Sequence, residues 1–262
     1  MSDNNRYSLM LEALAELAPE MEAMQPSASQ PALPYISNVL AEFTPLPREA
    51  LFLGVAMDGL PVFLNLQDSV PGPLLIAGDA GSGKTLFLQS IAHAVNQTHQ
   101  AQDVQYGIIT AHPEEWDSLE RADHCVDVFP AYKNAAEDFI NSLASWAHSN
   151  RGESQSVLLL IDDLITITKM DFDARQSLRW LLLRGPARHV WPIVSLNPQL
   201  IDEIRPWDEF FRTRIFGKIS DPQQVQNLSG SLQSHLESLT ARSQFVIRED
   251  EKWLRFWIPS LE

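Results

Sequence analysis

The sequence predicts an α/β fold in which a mainly parallel sheet is covered by helices on both faces. Short apolar segments typical of buried strands alternate with segments that have helical periodicity. A glycine-rich loop joins one such strand to a helix, and another strand ends in two carboxylates. Alternating strands and helices favour parallel pairing with helices on each face of the sheet. A chain of 262 residues is long enough for one large domain of this kind and a small appendage.

The first 49 residues differ in composition from the rest of the chain. Residues 1–24 predict an amphipathic helical arm, interrupted at Pro19, that either packs on the protein itself or docks a partner. Its apolar residues at near-heptad spacing are Met10, Leu14, Leu17, Met21 and Met24. Residues 25–49 contain five prolines and no glycine, which predicts a linker or an extended strap.

Residues 50–262 predict the sheet domain. It begins with a hairpin whose turn is Asp58-Gly59 and closes with a hairpin formed by residues 244–248 and 253–257. The predicted strands between the hairpins are 73–77, 104–110, 157–161, 190–195 and 213–218. The predicted helices are 86–95, 135–146, 175–183 and 222–228.

The loop from Gly78 to Thr85 fits the phosphate-binding pattern G-x-x-x-x-G-K-[ST]. An apolar strand precedes it and a helix follows it, as a phosphate-binding loop requires. The alternative is a chance glycine-serine turn, which the agreement of motif and context disfavours. Lys84 is predicted to reach the outer phosphates, and the Thr85 hydroxyl to ligate Mg²⁺. The residues predicted to bind the nucleotide are Gly78, Asp79, Ala80, Gly81, Ser82, Gly83, Lys84, Thr85 and Leu86. The sequence therefore predicts that the chain binds ATP with Mg²⁺.

Two further polar positions follow predicted strands. Asp162 and Asp163 end the strand 157–161, as a Walker B element requires: Asp162 would hold the Mg²⁺ through a water, and Asp163 would polarise the attacking water. The alternative is a pair of helix-capping residues. Asn197 follows the strand 190–195 and either senses the γ-phosphate or forms a turn before Pro198.

The ordered set of these features resembles the FtsK/HerA family of ring-forming P-loop motors over roughly residues 50–258. The first hairpin, the strand 73–77 and the phosphate loop follow one another as in that family. Similar landmarks are Pro113, Arg184-Gly185 and Thr213-Arg214-Ile215. The resemblance implies a RecA-like P-loop ATPase that assembles into a homo-oligomeric ring such as a hexamer. It also implies an arginine from a neighbouring subunit at the γ-phosphate, for which Arg184, Arg188 and Arg214 are the candidates.

Three positions depart from the family pattern. Asp163 stands where the family usually has glutamate, and Asn197 where it usually has glutamine, so each side chain is one methylene shorter. Glu114 replaces the family's turn lysine. One carbon–carbon bond is about 1.5 Å, and a displacement of about 1 Å can cost on the order of a hundredfold in rate. The departures therefore predict slow hydrolysis unless the backbone compensates.

Charge and composition limit the cellular setting. The net charge of −15 argues against a surface that coats DNA uniformly, although residues 169–218 hold nine basic and six acidic side chains. Those charges form either a basic face or a salt-bridged surface. A single cysteine, Cys125, excludes an internal disulfide and a cysteine zinc site. With a polar N-terminus and only short apolar runs, the sequence predicts a cytoplasmic protein outside the membrane.

Three functions remain open at this point. The first is an ATP-hydrolysing motor that translocates a polymer. Double-stranded DNA is the leading substrate, which the basic residues of 169–218 favour, and a protein is the other option, which the acidic balance suits somewhat better. The second is a nucleotide-gated interaction module with weak or no hydrolysis, which Asp163, Asn197 and the N-terminal arm favour. The third and weakest is a small-molecule kinase, for which no arginine-rich lid insert is evident.

Overall fold

In the computed structural model, residues 33–150, 155–230, 235–249 and 252–261 are described. The chain divides into two units, Met1–Pro34 and Tyr35–Glu262, and the strands and helices below belong to the second unit. The helical arm predicted for residues 1–24 lies outside the described residues, as does the linker up to residue 32.

One sheet of ten strands organises the described part of the second unit, in the order β2-β1-β10-β9-β8-β3-β7-β6-β4-β5. The strands are β1 Ala50–Ala56, β2 Pro61–Asn65, β3 Leu74–Ala77, β4 Val104–Thr110, β5 Cys125–Pro130, β6 Ser156–Asp162, β7 Val190–Leu196, β8 Thr213–Phe216, β9 Gln244–Glu249 and β10 Lys252–Trp257. The helices of eight or more residues are α1 Ile36–Phe43, α2 Lys84–Thr98, α3 Asn134–Ser149, α4 Phe172–Arg184 and α5 Pro222–Ser229.

Six neighbouring strands, from β8 to β5 in the sheet order, run parallel, and the two predicted hairpins add the antiparallel strands. The central strands β3, β6 and β7 are mainly apolar, and they are buried along their whole length because helices cover both faces. The prediction of a mainly parallel α/β sheet is confirmed.

Helices on the two faces bury separate apolar cores. Helix α2 buries Phe87, Leu88 and Ile91 against one face of the sheet, beside Trp191 of β7 and Phe245 of β9. Helices α3, α4 and α5 bury the other face, where their inward side chains join residues of β6 and β7. This arrangement leaves the carboxyl ends of the parallel strands as the edge from which the loops emerge, and this edge is where an open parallel sheet binds ligands.

Two elements differ from the sequence predictions. Residues 36–43, predicted as part of an extended linker, form helix α1, because Ile36, Val39 and Leu40 lie on one face and pack against Phe52 of β1. Strand β5 was not predicted; it is an edge strand beside β4 and leaves Val126 46% exposed. Its mixed polar and apolar residues therefore lack the apolar run that marks the central strands.

Candidate functional site

The phosphate loop leaves β3 at the carboxyl edge of the sheet and enters α2. Strand β3 lies between β7 and β8, so the loop begins at the centre of the parallel strands. Gly81 and Gly83 have φ values of +74° and +101°, a conformation that L-residues with side chains rarely adopt. Gly83 caps α2 in this left-handed conformation, and the helix begins at Lys84. The loop thus has the backbone shape that brings N–H groups and a helix N-terminus towards an anion.

Neighbouring strands hold this loop at its base. The Gly78 N–H donates to the Leu196 carbonyl (3.2 Å), and the Asp79 N–H donates to the Lys218 carbonyl (2.9 Å). The Asp79 carboxylate also accepts a hydrogen bond from the Ser220 N–H (2.8 Å). The side chain of Asp79 therefore fixes the loop to the segment after β8.

Lys84 lies at the first position of α2, with its ammonium folded back over the loop. Its Nζ donates to the carbonyl oxygens of Gly78 (2.8 Å) and Asp79 (2.9 Å). Burial lowers the pKa of Lys84, and the carboxylates of Asp162, Asp163 and Asp79 act in the opposite direction. An ammonium held against the phosphate loop in this way supplies positive charge to a bound anion.

Thr85 and Asp162 meet across the edge of the sheet, although 77 positions separate them in sequence. The Thr85 Oγ1 hydroxyl donates to the Asp162 carboxylate, at 3.0 Å from Oδ2 and 3.2 Å from Oδ1. Asp162 is only 9% exposed, and this burial raises its pKa; hydrogen bonds from Ser195 and Thr85 oppose the rise. Asp162 is therefore a buried carboxylate with a hydroxyl beside it.

This oxygen pair suits Mg²⁺, which accepts one or two protein oxygens and completes its shell with water and phosphate. Among the described residues, no cluster of three or more His, Cys, Asp or Glu side chains offers an all-protein metal cage. Thr85 and Asp162, which the sequence analysis named as the Mg²⁺ ligands, are adjacent and would hold the ion with a nucleotide; this role stays a prediction. The ion would neutralise phosphate charge there.

Asp163 occupies a strained turn next to Asp162. Its φ of +79° is left-handed, and its Oδ1 accepts a hydrogen bond from the Ile165 N–H (3.2 Å). Its carbonyl oxygen also accepts from the Thr166 hydroxyl (2.8 Å). Burial raises the pKa of Asp163, as does the nearby charge of Asp162. Asp163 therefore already serves as a turn and capping residue, and its role in activating water stays a prediction.

Asn197 follows β7 and reaches the same edge of the sheet. Its Oδ1 accepts a hydrogen bond from the Gln199 N–H (3.2 Å), so it caps the short 3₁₀ helix Pro198–Ile204. The turn before Pro198 that the sequence left open is thus present. The role of the Asn197 amide as a γ-phosphate sensor stays a prediction.

The candidate arginines lie apart from the phosphate loop of their own chain. Arg184 ends α4 shortly before β7 begins, which places it at the opposite edge of the sheet, in a cavity of about 460 Å³ that Arg188 also lines. Arg214 forms an ion pair with Asp208 (3.0 Å) and donates to the Leu228 carbonyl (3.0 Å). Its guanidinium is therefore committed to its own chain. Any contact of these arginines with a neighbouring subunit's nucleotide remains a prediction.

Ser195 is a site residue to which the sequence analysis assigned no role. It is fully buried in β7, and its Oγ donates to Asp162 Oδ1 (2.9 Å) while accepting from the Asp163 N–H (2.8 Å). One hydroxyl thus fixes both carboxylate residues. A serine within the apolar run of β7 was the available signal, but its partners on β6 became evident only once the strands were paired.

We expect Ser195→Ala to destabilise the protein by about 1–3 kcal/mol, because it leaves the part-buried Asp163 N–H without its acceptor and takes a hydrogen bond from the buried Asp162 carboxylate. Urea denaturation measures this loss, and Ser145→Ala, on an exposed turn of α3, is the matched control. A loss no larger than that of the control would contradict the assigned role.

A cavity of about 480 Å³ opens beside the phosphate loop. Its lining residues are Gly81, Gly83, Lys84, Thr85, Leu86, Gln89, Glu115 and Arg242. Five of them belong to the nucleotide-binding residues predicted from the sequence. Gln89, Glu115 and Arg242 were not predicted, because they lie outside the motif.

Comparison with known proteins agrees with the P-loop α/β fold described above. Residues 72–205, just over half of the chain, match the family model of the NACHT domain. No curated protein matches the chain in sequence. None of the described helices is both long and apolar enough to cross a membrane.

Three solved structures illustrate the similarity of fold. The cytoplasmic domain of the type VII secretion ATPase EccC from Thermomonospora curvata is 14% identical, with a TM-score of 0.65 over 88% of this chain and 28% of that one. EssC (ATPases 2 and 3) from Geobacillus thermodenitrificans is 15% identical, with a TM-score of 0.66 over 87% of this chain and 47% of that one. The pCW3 conjugation coupling protein TcpA is 15% identical, with a TM-score of 0.64 over 87% of this chain and 70% of that one.

The chain thus spans less than half the length of the EccC and EssC structures. At these identities the likeness establishes the fold, and the family-model match covers the phosphate loop and the strand that ends in Asp162. The chain belongs to the NACHT domain family of P-loop NTPases, and its fold is that of FtsK/HerA-type ATPases.

Proposed function

We propose that the chain binds ATP with Mg²⁺ at the phosphate loop and hydrolyses it as the motor domain of an oligomeric ring. The observation that carries the proposal is the convergence of Lys84, Thr85 and Asp162 at one edge of the sheet. These side chains supply a cation for the phosphates and an oxygen pair for the metal, and phosphoryl transfer requires both.

The proposed work of the motor is translocation of a polymer, with double-stranded DNA as the first candidate. Support comes from the relatives: TcpA is a conjugation coupling protein, and B204, with a TM-score of 0.53, is a DNA-packaging ATPase of a Sulfolobus virus. EccC, by contrast, is a secretion ATPase, which keeps a protein substrate as the alternative.

The basic window of residues 169–218 adds little support for DNA. Arg205 and Arg214 pair with Asp202 and Asp208, and the Arg179 guanidinium lies over the Trp207 ring (5.1 Å to its centre). These contacts favour a salt-bridged surface over a continuous basic face.

The test measures particle mass by light scattering and steady-state ATP hydrolysis, each with and without linear duplex DNA. We expect ATP to promote assembly and duplex DNA to stimulate hydrolysis by the assembled protein. Hydrolysis by an oligomer that ignores duplex DNA would exclude the DNA motor. Absence of nucleotide binding by wild-type protein would exclude the proposal as a whole.

A nucleotide-gated assembly module with weak hydrolysis is the second candidate. The hydrogen bond from the Ile165 N–H to the Asp163 carboxylate favours it, because a carboxylate that caps a turn is less available to a water. Under this proposal ATP stabilises the assembly through binding alone, which contributes about 2.7 kcal/mol at 100 times Kd.

We expect Asp163→Asn to separate the two candidates. Asparagine adopts the left-handed conformation and the same turn but carries no charge. If Asp163 polarises water, kcat falls by about a hundredfold or more while Kd for ATP stays within about threefold. Steady-state kinetic assays and equilibrium binding measure the two quantities. An unchanged, slow kcat would favour the gated module.

A further inference from the structure

The segment before β9 crosses the carboxyl edge of the sheet next to the phosphate loop. Strand β9 runs antiparallel to β8, and β8 is parallel to β3, so the chain must enter β9 at the edge where β3 ends. Leu236 and Leu239 are buried and anchor this segment to the core. Its position beside the loop therefore follows from strand order.

Arg242 is the residue of this segment that touches the loop. Its backbone N–H donates to the Ser82 carbonyl at 2.7 Å. A Cβ atom added at Gly83 would lie 2.5 Å from the Arg242 Cα atom, so only glycine at position 83 permits this approach. Arg242 itself has a left-handed φ of +69°, a conformation that costs about 1–2 kcal/mol for a residue with a side chain. Strain of this kind concentrates at functional sites.

A triphosphate bound in this cavity would need a second positively charged side chain besides Lys84. Among the residues that line it, Lys84 and Arg242 are the cations and Glu115 is the anion. The Lys84 ammonium is already engaged by two loop carbonyls, and the carboxylates of Asp162 and Asp163 lie within electrostatic range of it. A phosphate chain entering a protein of net charge −15 meets further repulsion. Arg242 is exposed, so its guanidinium can turn towards a ligand in the cavity.

We propose that Arg242 binds the α- and β-phosphates of the nucleotide within its own subunit. Loops of this type bind the α- and β-phosphates through backbone N–H groups, while the lysine and the Mg²⁺ ligand serve the β- and γ-phosphates. Arg242 sits against Gly83, at the backbone start of α2, whereas Asp162 and Thr85 mark the metal side. The inference rests on the proposed nucleotide binding and adds a ligand residue to it.

The position of Arg242 predicts how its substitution changes the affinity for ATP and for ADP. A residue that binds the α- and β-phosphates contributes equally to ATP and ADP. Hydrogen bonds to charged groups contribute about 1.5–3 kcal/mol, which corresponds to a roughly 10- to 100-fold change in Kd. Arg242→Gln should weaken the binding of ATP and the binding of ADP by the same factor, within that range. Arg242→Lys should fall between wild type and Arg242→Gln, because it keeps the charge but loses the planar fork.

The test is equilibrium binding of ATP and of ADP to the full chain by titration calorimetry. Arg48→Gln is the matched control: it removes the same charge from the opposite edge of the sheet, where Arg48 pairs with Asp103 before β4. Thermal melts without nucleotide check the fold, since the Arg242 backbone bond to Ser82 survives the substitution. The control should bind both nucleotides as wild type does.

Three results would overturn the inference. Arg242→Gln could bind both nucleotides within twofold of wild type, or it could lose affinity for ATP alone, which would place Arg242 at the γ-phosphate. In both cases wild-type binding would leave the proposed function standing. If wild-type protein bound neither nucleotide, the proposed function and this inference would fail together.

Discussion

Lys84→Ala should weaken ATP binding by at least about a hundredfold, because it removes the ammonium that lies over the phosphate loop. In wild-type protein, ATP at about 100 times Kd should add roughly 2.7 kcal/mol to the free energy of unfolding. For a domain of this size that raises Tm by about 5–10 °C. The variant should lose this shift, which thermal melts with and without MgATP would detect.

The melt without nucleotide distinguishes lost binding from lost folding. Lys84, which donates to the Gly78 and Asp79 carbonyls, lines the open cavity. Water can therefore enter where its ammonium was, so Tm of the free variant should stay close to wild type. Lys133→Ala, an exposed lysine before α3, is the matched control and should keep the full shift with ATP. A Lys84→Ala protein that ATP still stabilises as much as wild type would refute the assignment of the loop.

Asp162→Asn should lower kcat for ATP hydrolysis by about a hundredfold or more and remove the dependence of nucleotide binding on Mg²⁺. Asparagine keeps the shape and can still accept from Ser195 and Thr85, but it lacks the charge that holds a divalent cation. The measurements are steady-state hydrolysis and ATP affinity over a range of Mg²⁺ concentrations.

Asp58→Asn provides the comparison, because the Asp58 carboxylate accepts from the Leu60 N–H in an exposed hairpin turn that asparagine also forms. It should leave hydrolysis and Mg²⁺ dependence unchanged. If Asp162→Asn hydrolysed ATP at the wild-type rate, the metal would have to be held elsewhere.

The phosphate loop could be predicted because the residues that form it, and the strand and helix that flank it, are contiguous in the sequence. The strand before Gly78, the loop and the helix after Lys84 are contiguous, and each has a distinct pattern of apolar or glycine residues. The two carboxylates at the end of β6 stand out for the same reason. One of them, Asp162, was predicted to lie opposite Thr85, and the two side chains are hydrogen-bonded.

The remaining features depend on information that a linear sequence does not hold. Ser195 and Asp162 meet because β6 and β7 are neighbours, and Arg242 reaches the loop because β9 pairs with β8. Helix α1 was missed since Pro34, Pro45 and Pro47 frame it and dominate the composition of the segment. Its one buried face becomes evident only when β1 is available to pack against.

The left-handed backbone at Asp163 limits how this site can change over evolution. Aspartate and asparagine tolerate that conformation and close the turn through Ile165, whereas glutamate is both disfavoured there and too long to make the same bond. A single substitution to glutamate, the residue usual at this position in the FtsK/HerA pattern, would therefore place a longer side chain in a backbone that fits aspartate. A functional glutamate at position 163 would also require a different turn after β6. Substitutions at residue 163 should therefore occur together with changes in residues 164–168.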